Sequence, residues 1–137
     1  MARKARVSAA ILALMQASEC HSWTLEALQA DLAERGTRAD FSSIFRAAEK
    51  LVSEGALRKL LLLDDGHARF ELTAPHHDHL HCTSCDALVP VPCVIKRAAF
   101  AAIEAETGVA ISEHHVIFSG LCPNCRIDEA VSRERRR

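Results

Sequence analysis

The first 55 residues contain three segments in which apolar residues recur at helical spacing, and short polar stretches separate these segments. Ser8–Ala17 places its apolar side chains on one side, which predicts an amphipathic helix. A second helix is predicted to begin after Thr24, a favourable N-cap residue, and to stop at Gly36. A third helix is predicted to begin near Asp40 or Ser42 and to end at Gly55. Its apolar residues recur at the spacing of one helix face, and they are Ile44, Phe45, Ala48, Leu51 and Val52.

Two segments with strand character follow the third helix. Ala56–Leu63 and His67–Leu72 flank Asp64-Asp65-Gly66, a sequence typical of a tight turn between antiparallel strands. Three short helices followed by a hairpin predict a winged helix-turn-helix, whose third helix reads DNA. A small helical domain whose hairpin has no such role stays open as the alternative on these residues alone.

The pattern changes beyond Pro75. We place a domain boundary near Leu72–Pro75 and divide the chain into residues 1–74 and 75–137. The predicted fold class is α+β, a winged helix-turn-helix followed by a small α/β domain. The elements predicted for the second domain are strands at 77–82, 87–91 and His115–Ser119, and helices at Val94–Thr107 and Ile127–Arg137.

Composition limits the class of protein. The chain has 137 residues, of which 49% are hydrophobic but only 4% aromatic, so its cores must be aliphatic. A net charge of −1 excludes a uniformly basic protein but allows a local basic surface. No segment approaches the about 18 apolar residues of a membrane span, and no apolar run follows a basic start, so we expect a cytoplasmic protein. In that reducing compartment, six cysteines favour metal binding over disulfides.

The cysteines include two pairs with metal-binding spacing. Cys82-x-x-Cys85 and Cys122-x-x-Cys125 are separated by 36 residues. Two such pairs complete a tetrahedral Zn²⁺ site that has no open position for substrate, so its role is structural. It would join the strand after the boundary to the C-terminal helix in a domain too small to be stable alone. Disulfides and free thiols are the alternatives. A zinc ribbon within an enzyme is a weaker interpretation of this spacing, because the segment between the two pairs is long and contains a predicted helix.

The segment HHDHLHCTSC, residues 76–85, is rich in metal-binding side chains. In a strand, successive side chains alternate between two faces. One face would carry His77, His79 and His81, and the other His76, Asp78, Leu80 and Cys82. Because one strand cannot surround a single ion with all of these, we expect more than one metal site. A solvated, histidine-rich edge strand is the alternative.

Other segments must supply further ligands. Glu71 is expected to reach the site of His77 and His79 from the other side of the boundary, and His21 to approach it from the N-terminal domain. His114 is expected to join the ligands on the opposite face of the strand. A site built from both domains can set the angle between them, so a bound ion would act as a switch.

Four segments together resemble a known family. They are FSSIFRAAEKLVSEGAL, DDGHARFEL, HHDHLHCTSC and EHHVIFSGLCPNC, and they cover almost the whole chain. In order and spacing they are similar to the ferric uptake regulator (Fur) family of bacterial metal-sensing repressors. The resemblance implies a homodimer with a C-terminal dimerisation domain and a metal-dependent winged helix that binds an inverted-repeat operator in double-stranded DNA. It implies control of metal uptake or homeostasis genes, and no enzymatic activity.

The resemblance also implies roles for individual residues. Those matching the structural zinc ligands are Cys82, Cys85, Cys122 and Cys125. Three ligands of the regulatory site are matched by Glu71, His77 and His79, and three ligands of an additional site by His76, Asp78 and His114. The recognition-helix segment is matched by Ser43, Phe45 and Arg46. Arg46 would contact a phosphate or a guanine, and Phe45 a thymine methyl.

The chain departs from the family pattern at several positions. The regulatory-site histidine of the N-terminal domain aligns with Ser22, and a shift of one residue would place His21 there. The glutamate of the additional site falls near Arg97, which cannot bind a cation, so that site is incomplete or recruits Cys93. Phe45 stands where tyrosine is usual. The first helix reads VSAAILAL in place of the family's TPQR-like start.

The donor types bear on the metal that is sensed. A glutamate with histidines suits Fe²⁺ or Mn²⁺ and also accepts Zn²⁺. Zinc sensors of the family often have cysteine at the position of Glu71 and peroxide sensors tend to have aspartate, so the sequence favours iron over zinc and manganese. An enzyme and a metal-buffering protein are the competing classes. The chain has no Gly-rich phosphate loop or nucleophile elbow, and buffering would not need a winged helix.

Overall fold

The structure is a computed structural model that describes residues 2–62 and 66–136. Contacts within the chain divide it into two compact units, residues 1–74 (the N-terminal unit) and 75–137 (the C-terminal unit). The elements of the N-terminal unit are α1 (Ala2–Ala17), α2 (Leu25–Glu34), α3 (Phe41–Ser53), β1 (Leu57–Leu61) and β2 (Ala68–Leu72). Those of the C-terminal unit are β3 (Asp78–Cys82), β4 (Leu88–Val91), α4 (Arg97–Thr107), β5 (Ile117–Gly120) and α5 (Pro123–Arg135).

The core of the N-terminal unit is largely aliphatic, with two aromatic residues at its centre. Trp23 and Phe70 form a backbone bridge, with N–H···O distances of 2.9 and 2.8 Å. The indole N–H of Trp23 donates to Asp31 at 3.1 Å. This bridge fixes the loop before α2 against β2, so it holds the neighbouring residues His21 and Glu71 close to each other. The remaining buried residues of this core are Val7, Ile11, Leu14, Met15, Leu28, Leu32, Ile44, Ala47, Ala48, Leu51 and Leu57.

Helix α3 separates a buried face from an exposed one. Its N-cap Asp40 accepts a hydrogen bond from the backbone N–H of Ser43 at 2.7 Å, which satisfies a donor that would otherwise lack a partner in the helix. The buried face carries Ile44, Ala47, Ala48 and Leu51. Phe45 and Arg46 are exposed, with 43% exposure for Phe45. The apolar spacing predicted this helix, but it also counted Phe45 among the positions of that face. The structure exposes Phe45 because it lies one position, about 100°, around the helix from Ile44.

The hairpin after α3 forms the wing of a winged helix-turn-helix. Strands β1 and β2 pair antiparallel from Leu57↔Leu72 to Leu61↔Ala68. Both strands are shorter than predicted. Of the predicted turn, Asp64 and Asp65 lie outside the described residues.

The C-terminal unit has a three-stranded sheet in the order β4-β3-β5. The central strand β3 is antiparallel to β4 and parallel to β5, and its residues are buried apart from the half-buried Leu80. Neither α4 nor α5 contains a buried residue. Strand β5 lies at an edge of the sheet, and its Phe118 is 45% exposed. The described part of this unit therefore leaves much of its apolar surface uncovered.

Several element boundaries differ from those predicted. Helix α1 begins at Ala2, well before Ser8, because residues 2–6 are mostly strong helix formers. Helix α4 begins at Arg97 rather than Val94, since Lys96 still has an extended backbone. Helix α5 begins at Pro123 rather than Ile127, because proline is favourable at the first helical position. Strand β5 begins at Ile117 rather than His115, and β3 and β4 each begin one residue later than predicted.

Candidate metal centres

Four cysteines from three elements converge in the C-terminal unit. Cys82 ends β3, Cys85 follows in the turn, and Cys122 and Cys125 lie at the start of α5. Their sulfur atoms all lie within 4.8 Å of one another, and Cys85 Sγ is 3.8 Å from Cys122 Sγ. All six cysteines lie within the described residues and none forms a disulfide. Four sulfurs at these separations are the donor set of a closed, tetrahedral Zn²⁺ site.

The environment of these sulfurs opposes simultaneous ionisation of all of them. Backbone hydrogen bonds, first from Cys122 and then from Cys85, lower the pKa of the Cys82 thiol to about 6. The Ser84 side chain lowers the pKa of the Cys125 thiol, but the sulfurs of Cys122 and Cys85 act against it and raise the pKa to about 12. Crowded thiolates repel, and a bound divalent cation removes that repulsion because it binds the deprotonated form. The four sulfurs are therefore better suited to binding a divalent cation as thiolates than to remaining protonated beside one another.

The turn that follows β3 and contains Cys85 is closed by a residue with an unusual backbone conformation. Asp86 has φ 65°, and among the described residues it is the one non-glycine with positive φ. Its carboxylate lies 2.5 Å from Nε2 of the buried His81, and its backbone N–H donates to the Cys82 carbonyl at 2.9 Å. His81 thus contacts the turn of the cysteine cluster, and no described contact joins it to His77 or His79.

A second cluster lies entirely within the C-terminal unit. The ligand atoms of His76, Asp78, Cys93 and His114 all lie within 4.8 Å of one another. His114 Nε2 is 2.8 Å from His76 Nε2 and 3.3 Å from Cys93 Sγ. Asp78 Oδ1 is 3.7 Å from His76 Nε2 and 3.9 Å from His114 Nε2, with its side chain only 1% exposed. A buried carboxylate, two imidazoles and a thiol form a donor set that transition metals bind.

In the N-terminal unit, His21 and Glu71 form a close pair. His21 Nε2 lies 3.2 Å from Glu71 Oε2, and the Glu71 side chain is fully buried. The other carboxylate oxygen of Glu71, Oε1, lies 3.7 Å from Nη1 of Arg58. A buried carboxylate needs positive charge or hydrogen-bond donors beside it, and here it faces both a histidine and an arginine.

In the C-terminal unit, His77 and His79 lie side by side. Their ring centroids are 4.7 Å apart, which agrees with the alternation of side chains along β3. His77 Nδ1 is 2.9 Å from the carbonyl oxygen of Pro75. This contact favours the tautomer in which Nδ1 carries the proton and Nε2 carries the lone pair that a metal would need.

The structure also places residues that the sequence analysis did not single out for these centres. Arg58 lies opposite Glu71 in the register of the hairpin, whereas the predicted three-residue turn would have placed Lys59 there, one position away. The contact between His81 and Asp86 could not be predicted from the sequence, because no sequence pattern indicates an aspartate with positive φ. Phe100 of α4 contacts the ring of His114, with centroids 4.6 Å apart.

A winged helix-turn-helix unit joined to a cysteine- and histidine-rich unit defines a metal-responsive, DNA-binding class of protein. A match to a known family identifies which proteins of this class the chain belongs to. The sequence model of the Ferric uptake regulator family matches residues 3–119, and the chain belongs to that family. It is therefore a metal-responsive transcriptional regulator of the Fur family, which consists of regulators and not of enzymes.

Individual relatives agree with this assignment. The chain is 27% identical over 128 residues to the Ferric uptake regulation protein of Yersinia pestis, covering 91% of this chain and 86% of the relative. Its fold is similar to that of the Vibrio cholerae ferric uptake regulator, with TM-score 0.72, 24% identity and coverage of 85% and 88%. It is also similar to FurB, a zinc uptake regulator from M. tuberculosis, with TM-score 0.53, 25% identity and coverage of 91% and 96%. No helix in the described part of the chain is long and apolar enough to cross a membrane.

Proposed function

We propose that this protein is an iron-responsive repressor that binds an inverted-repeat operator in double-stranded DNA as a homodimer, and controls genes of metal uptake or homeostasis in the cytoplasm. Residues 1–74 bind DNA, and residues 75–137 bind metal and dimerise. The observation that carries the proposal is the fully buried carboxylate of Glu71, with His21 Nε2 at 3.2 Å, a few residues along the chain from the His77–His79 pair.

The regulatory ion is bound by His21, Glu71, His77 and His79. Glu71 and His77 are six positions apart, and six residues span at most roughly 20 Å, so the chain itself keeps the two pairs within reach of a common ion. An ion that needs ligands from both sides of residues 74–75 restricts the angle between the DNA-binding and dimerisation domains. Restricting that angle selects the spacing of two recognition helices in a dimer, which must match the half-site spacing of the operator.

Iron is the favoured regulatory ion. One carboxylate and three imidazoles offer oxygen and nitrogen but no sulfur, which suits Fe²⁺ and Mn²⁺. The likeness to a named zinc uptake regulator at 25% identity makes zinc the second candidate, and manganese is the third. Zn²⁺ binds most such sites more tightly than Fe²⁺ in vitro, so the metal content of protein isolated from its native cells decides between them.

Zinc in the four-cysteine site is structural. The site joins the end of the central strand β3 to the start of α5, a helix that has no buried residue of its own. Metal binding supplies stability that the small core does not.

Dimerisation through the C-terminal unit accounts for its uncovered apolar side chains. Outside β3 few of its apolar residues are buried, and α4 and α5 bury none. A second copy of the chain would cover the edge strand β5 and these helices. The large apolar side chains left exposed in this unit are Val94, Ile103, Val109, Phe118, Ile127 and Val131.

DNA binding is assigned to the face of α3 that carries the exposed Phe45 and Arg46 and the half-buried Ser43. Replacing Arg46 by alanine is expected to weaken operator binding by about tenfold, because one phosphate or guanine contact is lost. If the contact is to a phosphate, the slope of log affinity against log salt also falls by about one, and the slope is unchanged if the contact is to a guanine. Fluorescence anisotropy across a salt series measures both quantities. Arg135→Ala, which removes an equally exposed arginine from α5, is the matched control and should leave both unchanged. Wild-type affinity in the Arg46 variant would exclude α3 from recognition.

An additional ion is bound by His76, Asp78, His114 and Cys93. In protein whose four-cysteine site already holds Zn²⁺, Co²⁺ is expected to give a sulfur-to-metal charge-transfer band from Cys93. Cys93→Ser should abolish this band and weaken Co²⁺ binding by more than tenfold, because a thiolate is the strongest donor in the set for such an ion. Absorption spectra during a Co²⁺ titration measure this. Cys20→Ser removes an exposed thiol outside the cluster and should keep the charge-transfer band. If the band were lost in Cys20→Ser and kept in Cys93→Ser, Cys93 would not be a ligand.

A further inference from the structure

A permanent positive charge faces the buried carboxylate of the regulatory site. Arg58 on β1 lies opposite Glu71 on β2 in the register of the hairpin, with Nη1 3.7 Å from Oε1. The Arg58 side chain is 23% exposed and that of Glu71 is 0% exposed. The second oxygen of Glu71, Oε2, faces His21. Each oxygen of this proposed metal ligand therefore has its own cationic or ionisable neighbour within the N-terminal unit.

The two neighbours differ in what they contribute to a metal site. His21 can coordinate an ion through the same nitrogen that now approaches Glu71. Arg58 cannot coordinate a cation, because a guanidinium has no lone pair to donate and stays protonated at all physiological pH values. Its charge stabilises the buried carboxylate when no metal is bound, since an uncompensated buried charge is costly. Once a divalent cation binds Glu71, the same charge repels it.

We propose that Arg58 is a counter-cation that competes with the regulatory ion for Glu71 and thereby sets the metal concentration to which the protein responds. This inference rests on the proposed role of Glu71 as a regulatory ligand. The metal-free protein holds Glu71 with Arg58, and the metal-loaded protein holds it with the ion. The same ligands without the charge of Arg58 would bind the ion more tightly. Arg58 therefore raises the metal concentration that is needed for a response.

The test compares Arg58→Gln, which keeps a neutral hydrogen-bond donor on a shorter side chain and removes the charge, with Arg58→Lys, which keeps the charge. Mn²⁺ is the probe because it is stable in air, and the four-cysteine site is loaded with Zn²⁺ beforehand. Arg58→Gln is expected to bind Mn²⁺ roughly tenfold more tightly than the wild type at one fixed pH, because a like charge near the ion is removed. Arg58→Lys should stay within about twofold of the wild type. Isothermal titration calorimetry measures the affinities.

Thermal unfolding gives a second readout that does not depend on the affinity measurement. Arg58→Gln should melt at a lower temperature than the wild type without Mn²⁺, because Glu71 loses its counter-charge. The increase in melting temperature on adding Mn²⁺ should then be larger in this variant, since the ion replaces the missing charge. Equal or weaker Mn²⁺ affinity in Arg58→Gln would overturn the proposal, and so would an unchanged Mn²⁺-induced shift.

Glu71→Gln, measured alongside, separates this proposal from the assignment of the regulatory site. If Glu71→Gln loses a Mn²⁺ ion and Arg58→Gln behaves as the wild type, Glu71 is a ligand and Arg58 has no part in setting its affinity. If Glu71→Gln keeps every Mn²⁺ ion, the regulatory site itself is misassigned and the proposal for Arg58 is overturned with it. The Mn²⁺ binding that remains in Glu71→Gln measures how much Mn²⁺ other sites bind. This amount is subtracted from the titrations of the Arg58 variants.

Discussion

Replacing His77 and His79 together by alanine will abolish metal-dependent DNA binding while leaving one tightly held zinc ion per chain. The double change removes two of the four proposed ligands of the regulatory ion. Loss of a group that merely supports a ligand costs ten- to a hundredfold in affinity, so losing two ligands should cost about a hundredfold or more. The four cysteines are untouched, so their zinc, the fold and the dimer should remain.

Three measurements on one preparation of this double variant test the prediction. Elemental analysis counts the ions, size-exclusion chromatography with light scattering gives the oligomeric state, and a gel shift with and without Fe²⁺ under anaerobic conditions reports DNA binding. The matched control replaces His67 and His115, two exposed histidines outside the metal clusters, and should behave as the wild type. A double variant that loses its cysteine-bound zinc would mean that residues 76–85 form one structural cluster. Retained metal-dependent binding would move the sensing site to His76, Asp78 and His114.

Cys122→Ser is expected to abolish zinc binding at the four-cysteine site and to cause a large loss of stability. Cys122 is buried, contributes one of four sulfurs, and occupies the N-cap position of α5. Structural zinc sites contribute apparent binding free energies of about 10–16 kcal/mol, comparable with the whole stability of a small domain at about 5–15 kcal/mol. The C-terminal unit should therefore lose zinc and unfold or aggregate. Calorimetry and zinc analysis after gel filtration measure the two effects.

The control for this prediction is Cys20→Ser. Cys20 is exposed and its thiol lies 3.2 Å from the Ser22 carbonyl, so its loss should shift the melting temperature by no more than a few degrees. A folded, dimeric Cys122→Ser protein with wild-type stability would show that the cysteine cluster has no structural role.

The parts of this molecule that were predictable from sequence are those governed by local spacing. Two CxxC pairs indicate a zinc site because each pair places two sulfurs on one side of a tight turn, and the four sulfurs do converge. The apolar period of α3 predicted the helix and its buried positions Ile44, Ala48 and Leu51, because a helix repeats every few residues whatever surrounds it. The start of α5 was mispredicted because the apolar period begins only at Ile127, whereas Pro123 and the N-cap position of Cys122 begin the helix earlier.

Contacts between distant residues were only partly predictable. The sequence offered Cys93 as a replacement ligand for the additional site, and its sulfur lies 3.3 Å from His114, 21 positions along the chain. Nothing in the pattern of His81 indicated that its partner would be Asp86, because that contact depends on a left-handed backbone conformation in the turn. The identity of the regulatory metal depends on affinity and availability in the cell, and neither is encoded in donor spacing.

If the ion bound by Glu71 and the histidines controls DNA binding, operator affinity must depend on the free Fe²⁺ concentration. This is measured with Fe²⁺ buffered under anaerobic conditions and with zinc kept in the four-cysteine site. The probe is a duplex selected by the metal-loaded protein from a random-sequence pool, so no operator has to be assumed. Fluorescence anisotropy should show weak, nonspecific binding without Fe²⁺. It should rise with a midpoint equal to the Fe²⁺ dissociation constant measured on the same protein, and Glu71→Gln should abolish the rise. Equal affinity with and without Fe²⁺, or an unchanged response in Glu71→Gln, would show that this ion does not control DNA binding.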